Sequence, residues 1–357
     1  MAIRGIAFIH QPLSDSHAQP FPKPNIEAFE TPLRIQVAYK YLEESGVLRE
    51  MKVCEANRAK LDDALLVHSP YLVHTVEIMS DLGSGYLGES SYASPGLLRS
   101  ALHALGGAIQ SAKLVSEGDT RHAFALVRPP GHHASTSTSM GLCYFNNIAV
   151  AARTVIARED VNRITILDID NHFGNGTAEI FYADPNIQYI SVHEYDYENF
   201  GVGHFDEIGC GKGKGKTINI PLVETSPNIS YESALKQIVT PALESFKPDI
   251  IGVSAGFDAH YADPVGNMDV DSRTYWLIGK LVEKTVSALR MKGSFWILEG
   301  GYNPFVLGSS IRASLEGLQS KKLPQLDDQV DRERHEMVIE SNEEIIEKVL
   351  ETVSPYF

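Results

Sequence analysis

The sequence predicts an α/β protein in three layers, with helices on both faces of an open, mostly parallel sheet. Three observations predict it. Short runs rich in β-branched and apolar residues recur along the chain. They are continuously apolar rather than alternating, as strands buried on both faces are. Helical patterns lie between most of them, which is the order of βαβ units.

The first run is GIAFI (5–9), and HAFALV (122–127), RITILD (163–168) and IQYISV (187–192) follow it. TINIPL (217–222), DIIGVSA (249–255) and SFWILE (294–299) complete the set. Between them, SPGLLRSALHALGGAIQSAKLV and SYESALKQIVTPALESF carry alanine and leucine at helix spacing. GCGKGKGK (209–216) has the glycines and lysines of a phosphate cradle but not the strand, GxxxxGK[ST] and helix order, so it reads as a loop before TINIPL. The segment from about 325 to 357 combines charge with apolar residues at helical spacing and predicts a closing amphipathic helix. No repeat, low-complexity tract or linker interrupts residues 1–357, and a single domain is the simplest account.

Composition narrows the function classes. The chain has 357 residues, 43% hydrophobic and 22% charged, with a formal net charge of −15. Such a surface repels polyanions, so no nucleic-acid partner is expected. MAIRGIAFIH is too short in its apolar run for a signal peptide, and no stretch reaches the roughly 18–20 apolar residues of a membrane span. Cys54, Cys143 and Cys210 match neither a disulfide framework nor a zinc knuckle, so reduced thiols and a cytoplasmic protein are expected. Oligomeric state stays open, a homodimer being one option.

The chemistry-bearing residues gather where the strands end. His132 and His133 follow HAFALV in RPPGHHAS; Asp168, Asp170 and His172 close RITILD; His193 ends IQYISV; Asp258 and His260 follow DIIGVSA; Glu299 and Tyr302 follow SFWIL. In open α/β sheets the ligand crevice lies beyond the carboxyl ends of the strands. If the strand continues through D-I-D-N-H, the period of two puts Asp168, Asp170 and His172 on one side. Taken alone, that triplet serves equally well as helix caps or turn residues. A further acid, Asp258, at the end of another buried strand favours a divalent metal. Two carboxylates, one imidazole and an open position suit catalytic zinc. One of the tandem histidines then takes and returns a proton while the other supplies charge or a hydrogen bond. Tyr302, in EGGYN, can donate its phenol to an oxyanion. The parts add up to amide hydrolysis.

The motifs FETPLRI, VHSPYLV, RPPGHHA, GLCYFNN, LDIDNHFGNGT, SVH, SAGFDAHYADPVGNM and LEGGYN occur in that order over roughly residues 30–310. In this the sequence resembles the histone deacetylase superfamily, and its EGGY form resembles the class II and bacterial amidohydrolase branch. The resemblance implies an eight-stranded sheet of arginase/deacetylase type. It implies Asp170, His172 and Asp258 as zinc ligands, with iron(II) as the alternative metal. His133 would be general base and acid, His132 its electrostatic partner, and Asp168 and Asn175 the groups that orient His132 and His133. A structural potassium ion would sit among Asp168, Asp170, His172, Ser191 and Val192. Gly141, Leu142 and Phe200 would wall a narrow channel for an acyl-bearing chain, the substrate being an acylated lysine or a small acylated amine.

Several positions depart from the family pattern. Phe173 replaces the second histidine of HHGNGT, and AFETP keeps Glu30, Pro32 and Arg34 but not the usual histidine. GESSYASPG lacks the rim acid, for which Glu89 is the candidate substitute, and Val265 in the DPxG turn favours acyl-lysine over acetylpolyamine. A two-manganese ureohydrolase would need acids at Gly174 and His260, so one metal is expected. The alternative from another class is a zinc-containing module that binds an acylated ligand without turnover; Tyr302 argues against it. His193 and His260 read as either participants or satisfied crevice residues.

Overall fold

The computed structural model describes residues 5–13, 17–18, 28–156, 160–195, 197, 201–329 and 335–357. The elements in chain order are β1 (Ile6–His10), α1 (Pro32–Glu44), β2 (Lys52–Glu55), α2 (Pro70–Leu82), β3 (Gly85–Gly88), β4 (Ser91–Ala93), α3 (Leu97–Ser116) and β5 (His122–Leu126). There follow α4 (Asn147–Ile156), β6 (Ile164–Asp168), α5 (Asn175–Phe181), β7 (Ile187–Glu194), β8 (Thr217–Leu222), α6 (Asn228–Ala234) and α7 (Thr240–Phe246). The last are β9 (Ile250–Ala255), α8 (Ser272–Ala288), β10 (Gly293–Leu298), α9 (Pro304–Leu318) and α10 (Glu336–Val353). A π turn at Leu235–Val239 joins α6 to α7.

Eight strands form one sheet in the order β2-β1-β5-β10-β9-β6-β7-β8, and every neighbouring pair is parallel. The continuous apolarity of the strands has its reason in the packing. Phe8, Phe124 and Trp296 point to one face, which α1, α8 and α9 cover, while α10 packs on the same face at β8. Ala7, Ala123 and Phe295 point to the other, against α3 and α4. Small residues at Ala104, Ala108 and Ala112 give α3 an apolar stripe at a spacing of four toward the sheet. Each fully buried aromatic such as Phe8 or Trp296 contributes about 2–3 kcal/mol of apolar burial.

Three strands escape the apolar pattern. β2, KVCE, is an edge strand with three of four residues exposed. β3 and β4 form a separate antiparallel hairpin. The tail is helical from Glu336, and Ile345, Ile346, Val349 and Val353 bury its apolar face. Its approach at Asp328 is pinned by His260 Nε2 at 3.0 Å and by Ser272. Among the described residues no helix is long and apolar enough to cross a membrane.

The sheet order places β5, β10, β9, β6 and β7 side by side. These are the five strands whose carboxyl ends carry the polar motif residues, so one crevice collects them all.

Candidate active site

Strand β6 ends at Asp168. Asp170 and His172 therefore lie in the turn beyond it, which corrects the expectation that strand alternation aligns the three. The turn aligns them instead: Asp168 Oδ1 accepts from the Asp170 N–H at 3.2 Å, and Asp170 Oδ1 accepts from the His172 N–H at 2.9 Å. Successive carboxylates thus fold the chain back on itself, as aspartates do in turns.

Asp258, from the loop after β9, meets this turn. His172 Nδ1 lies 3.2 Å from Asp170 Oδ1 and 3.0 Å from Asp258 Oδ2. The three donor atoms lie within 4.8 Å of one another. The other carboxylate oxygens are already engaged. Asp170 Oδ2 accepts from the Gly300 N–H at 2.7 Å, and Asp258 Oδ1 from the Asn171 N–H at 2.8 Å. Each acid is thereby fixed with one oxygen aimed at the imidazole nitrogen.

Two buried carboxylates in one place are costly without a cation. Burial, with Asp170 beside it, raises the Asp258 pKa. Burial also acts to raise that of Asp170, but the His132 and His172 imidazoles and their hydrogen bonds bring it below the ordinary range. His172 titrates well above 6.5 because its two carboxylates outweigh its burial. These atoms make either an imidazolium bridged between two acids or a tripod for a metal ion. The donor set of two carboxylate oxygens and one imidazole nitrogen fits the tripod. Gly300 is what lets the chain pass: a Cβ there would sit 2.2 Å from Asp258 Oδ2 and 2.6 Å from Asp170 Oδ2.

The tandem histidines stand beside the tripod with different partners. His132 Nδ1 donates to Asp168 Oδ2 at 3.1 Å, and Tyr189 donates to the same oxygen at 2.9 Å. Burial pulls the His132 pKa down, but Asp170, Asp168 and Glu299 outweigh it and hold it at about 10. His133 Nδ1 donates to Asn175 Oδ1 at 2.7 Å. Burial and the positive His132 and His172 push its pKa down to about 3. The rings of His132 and His133 are 4.0 Å apart between centroids, so a charge on one opposes a charge on the other.

Gly141 packs on the His133 ring. Its φ is +56°, and a Cβ there would meet His133 Cδ2 at 2.4 Å. Leu142 follows it, buried and also at positive φ. Their N–H groups donate to the carbonyls of Glu89 (2.8 Å) and Ser90 (3.2 Å), which ties the β3–β4 hairpin to this wall. The Glu89 side chain is exposed there. Phe200 lies outside the described residues.

Tyr302 sits in the turn after β10, buried, with the Arg34 guanidinium 4.5 Å above its ring. Burial, opposed by Arg34, keeps its phenol well above its ordinary pKa. Several residues that sequence reasoning left without a role hold this turn. Arg34 donates to the carbonyls of Gly301 (2.7 Å) and Glu299 (2.6 Å), and to Glu30 Oε1 at 3.1 Å. Arg128 donates to both oxygens of Glu30. Asp263 accepts from the N–H groups of Tyr302 (2.6 Å) and Asn303 (3.0 Å). Glu299 Oε2 accepts from the N–H groups of Gly131 and His132 at 2.6 and 3.1 Å, linking this turn to the tandem histidines. The spacing of Glu30 and Arg34, four residues apart at a helix start, was the available signal.

Asp168 and Ser191 face each other across the β6–β7 register, with Val192 next in β7. Ser191 Oγ donates to His193 Nδ1 at 2.8 Å, and His193 Nε2 donates to the Gly203 carbonyl at 2.9 Å. His193 is thus fully satisfied. His260 is as well, between Asp328 and the Ala262 N–H. Phe173 packs on the His193 ring at 4.9 Å.

Residues 28–318 match the model of the histone deacetylase domain. The chain is 37% identical over 310 residues to histone deacetylase 6 of Caenorhabditis elegans, covering 82% of this chain and 32% of that protein. It is 38% identical over 270 residues to a probable deacetylase of Methanothermobacter thermautotrophicus, covering 75% and 79%. It is 35% identical over 285 residues to a histone deacetylase-like amidohydrolase of Pseudomonas aeruginosa, covering 78% and 74%. The chain thus spans about a third of the first relative and about three-quarters of the other two. The crystal structure of the HDA15 HD domain superposes with a TM-score of 0.88 at 29% identity, over 99% of this chain and 95% of that one. A domain match over most of the length, joined to motif residues that meet in one crevice, makes this chain a member of the histone deacetylase domain family.

Proposed function

We propose that this chain is a zinc-dependent amidohydrolase that removes acetyl or other acyl groups from an amine such as acyl-lysine. One observation carries the reading: the Asp170–His172–Asp258 tripod stands beside a histidine whose Nδ1 is anchored on Asn175. A zinc ion held by those three residues, with iron(II) the alternative, would lower the pKa of a bound water and polarise the substrate carbonyl.

The remaining work falls to the chain's own groups. With Nδ1–H given to Asn175, His133 keeps Nε2 free as a base, and its low pKa leaves it neutral at pH 7. It takes a proton from the attacking water and returns it to the leaving amine. His132, held by Asp168, supplies positive charge next to it. Tyr302 keeps its proton at neutral pH and donates it as a hydrogen bond to the developing oxyanion. Gly141 and Leu142 would wall the approach for a thin acyl-bearing chain, with Phe200, outside the described residues, as the third candidate. A potassium ion among Asp168, Asp170, His172, Ser191 and Val192 would brace the loop that carries two of the ligands. The same reading takes the chain as one catalytic domain working in the cytoplasm, consistent with its free cysteines.

The test is turnover of a matched pair, an acetyl-lysine peptide and N-acetylputrescine, by zinc-loaded protein with Asp258→Ala as the blank. The reading expects peptide turnover. Preference for the polyamine would move the substrate class to small amines and implicate the exposed Glu89. Turnover of neither would replace the hydrolase by a binding module.

A further inference from the structure

At the opposite end of the sheet, the amino ends of β6, β9 and β10 line a cavity of about 430 Å³. Main-chain bonds lace the three strands together there: Asp249 N–H donates to Arg163 O at 2.8 Å, and Lys292 N–H to Asp249 O at 2.9 Å. Ile164, Ile250 and Gly293 are in register, so Arg163, Asp249 and Lys292, one residue earlier, form a lateral row. Lys247, at the end of α7, and Arg290, just past α8, complete the lining.

The charge of this row is unusual for the chain. The protein has 46 acidic and 31 basic residues, yet four cations and one carboxylate face this cavity. The carboxylate offsets only part of that charge. Asp249 Oδ2 is taken by the N–H groups of Asn162 and Arg163 at 2.8 and 3.0 Å. Lys292 is paired with Asp160 at 2.5 Å. Arg163, Lys247 and Arg290 have no carboxylate within ion-pairing distance among the described residues. Arg163 lies instead over the Phe246 ring, at 5.6 Å, and Lys216 shares that ring at 5.1 Å. Three cations with no ion pair among the described residues, set on the ends of adjacent elements around a small-ligand-sized cavity, favour an anion there. Two of them are arginines, whose planar fork matches phosphoryl oxygens bidentately. The three cations stand on separate elements, so a chain of two or more phosphoryl groups offers an anionic group to each.

We propose that this cavity binds a small anion bearing two or more phosphoryl groups. The site is independent of the hydrolytic crevice, a strand length away at about 3.3 Å per residue. The test is calorimetric titration of the full chain with inorganic tripolyphosphate at low salt, run on wild type, Lys247→Ala/Arg290→Ala, Arg163→Ala and Asp258→Asn. Arg163, Lys247 and Arg290 are exposed, so their variants keep the fold. The proposal expects saturable one-to-one binding that weakens about tenfold per cation removed and is retained in Asp258→Asn. Three results would overturn it: no saturable binding, affinity unchanged in the cation variants, or binding lost only in Asp258→Asn, which would mean capture at the metal crevice. An unchanged affinity would leave Lys247 and Arg290 as helix-end cations that complement the dipoles of α7 and α8.

Discussion

His133 Nδ1 and Asn175 Oδ1 lie 2.7 Å apart, and this single bond decides which histidine nitrogen is free. An amide oxygen accepts but brings no charge, so it orients the ring without stabilising an imidazolium as a carboxylate would. Asn175 Nδ2 is itself held by Met140 Sδ at 3.2 Å. Asn175→Ala is expected to lower kcat by about 10- to 100-fold with little change in KM, because the tautomer and ring angle are lost. Asn175→Asp restores an acceptor and is expected to recover part of that rate. Steady-state kinetics of the two variants check this.

Tyr302 is held by its neighbours through its backbone and ring, and in the proposed mechanism its phenol donates to the oxyanion. Tyr302→Phe is expected to fold, to bind one metal ion and to lose about 10²-fold or more in turnover. Metal content and kcat measured on the same sample separate the two effects. A near-normal rate removes the phenol from the account.

Glu30 is the acid between two buried guanidinium groups, and although burial opposes it, Arg128 and Arg34 hold its pKa down at about 2. Glu30→Gln would leave both arginines buried without a counter-charge. A loss of about 3–5 kcal/mol is expected, read as a fall in the urea midpoint. Because Arg34 also holds the Gly301 and Glu299 carbonyls, kcat should fall in the fraction that stays folded.

His68 gives the pH dependence away from the crevice. Its Nδ1 donates to Ser135 O at 2.9 Å and its Nε2 accepts from Asn146 N–H at 2.8 Å, which only the neutral ring can do. Burial brings its pKa down from 6.5 to about 4. The unfolded chain therefore takes up the proton first, so stability is complete above about pH 6.5 and drains away as the pH falls toward 4. The loss from this one group is about 3 kcal/mol. Urea unfolding at steps between pH 7 and 4 should show a shallower slope for His68→Gln than for wild type, by about one proton.

Much of this architecture was legible because burial leaves a compositional trace. Strands β5, β6, β9 and β10 are sandwiched between helices, and their unbroken apolar runs gave them away, as did the polar groups that follow each one. β2 has no such trace, since an edge strand with exposed side chains is under no apolar constraint. The period-two argument for Asp170 and His172 failed because it assumed that the strand runs on, whereas aspartate side chains turn the chain just past Asp168. Glu30, Arg34, Arg128 and Asp263 were harder still. Apart from the i,i+4 pair of Glu30 and Arg34, their partners lie up to 267 residues away in the chain, and no local pattern encodes those meetings.

The central claim is that one metal ion, held by Asp170, His172 and Asp258, drives amide hydrolysis in this crevice. The most direct measurement is acetate release from an acetyl-lysine peptide as metal-free protein is titrated with zinc, with Asp258→Ala in parallel. The account predicts activity that rises to a plateau at one zinc per chain and a flat line for the variant. A requirement for two ions per chain, or no acetate release at any zinc level, would contradict it.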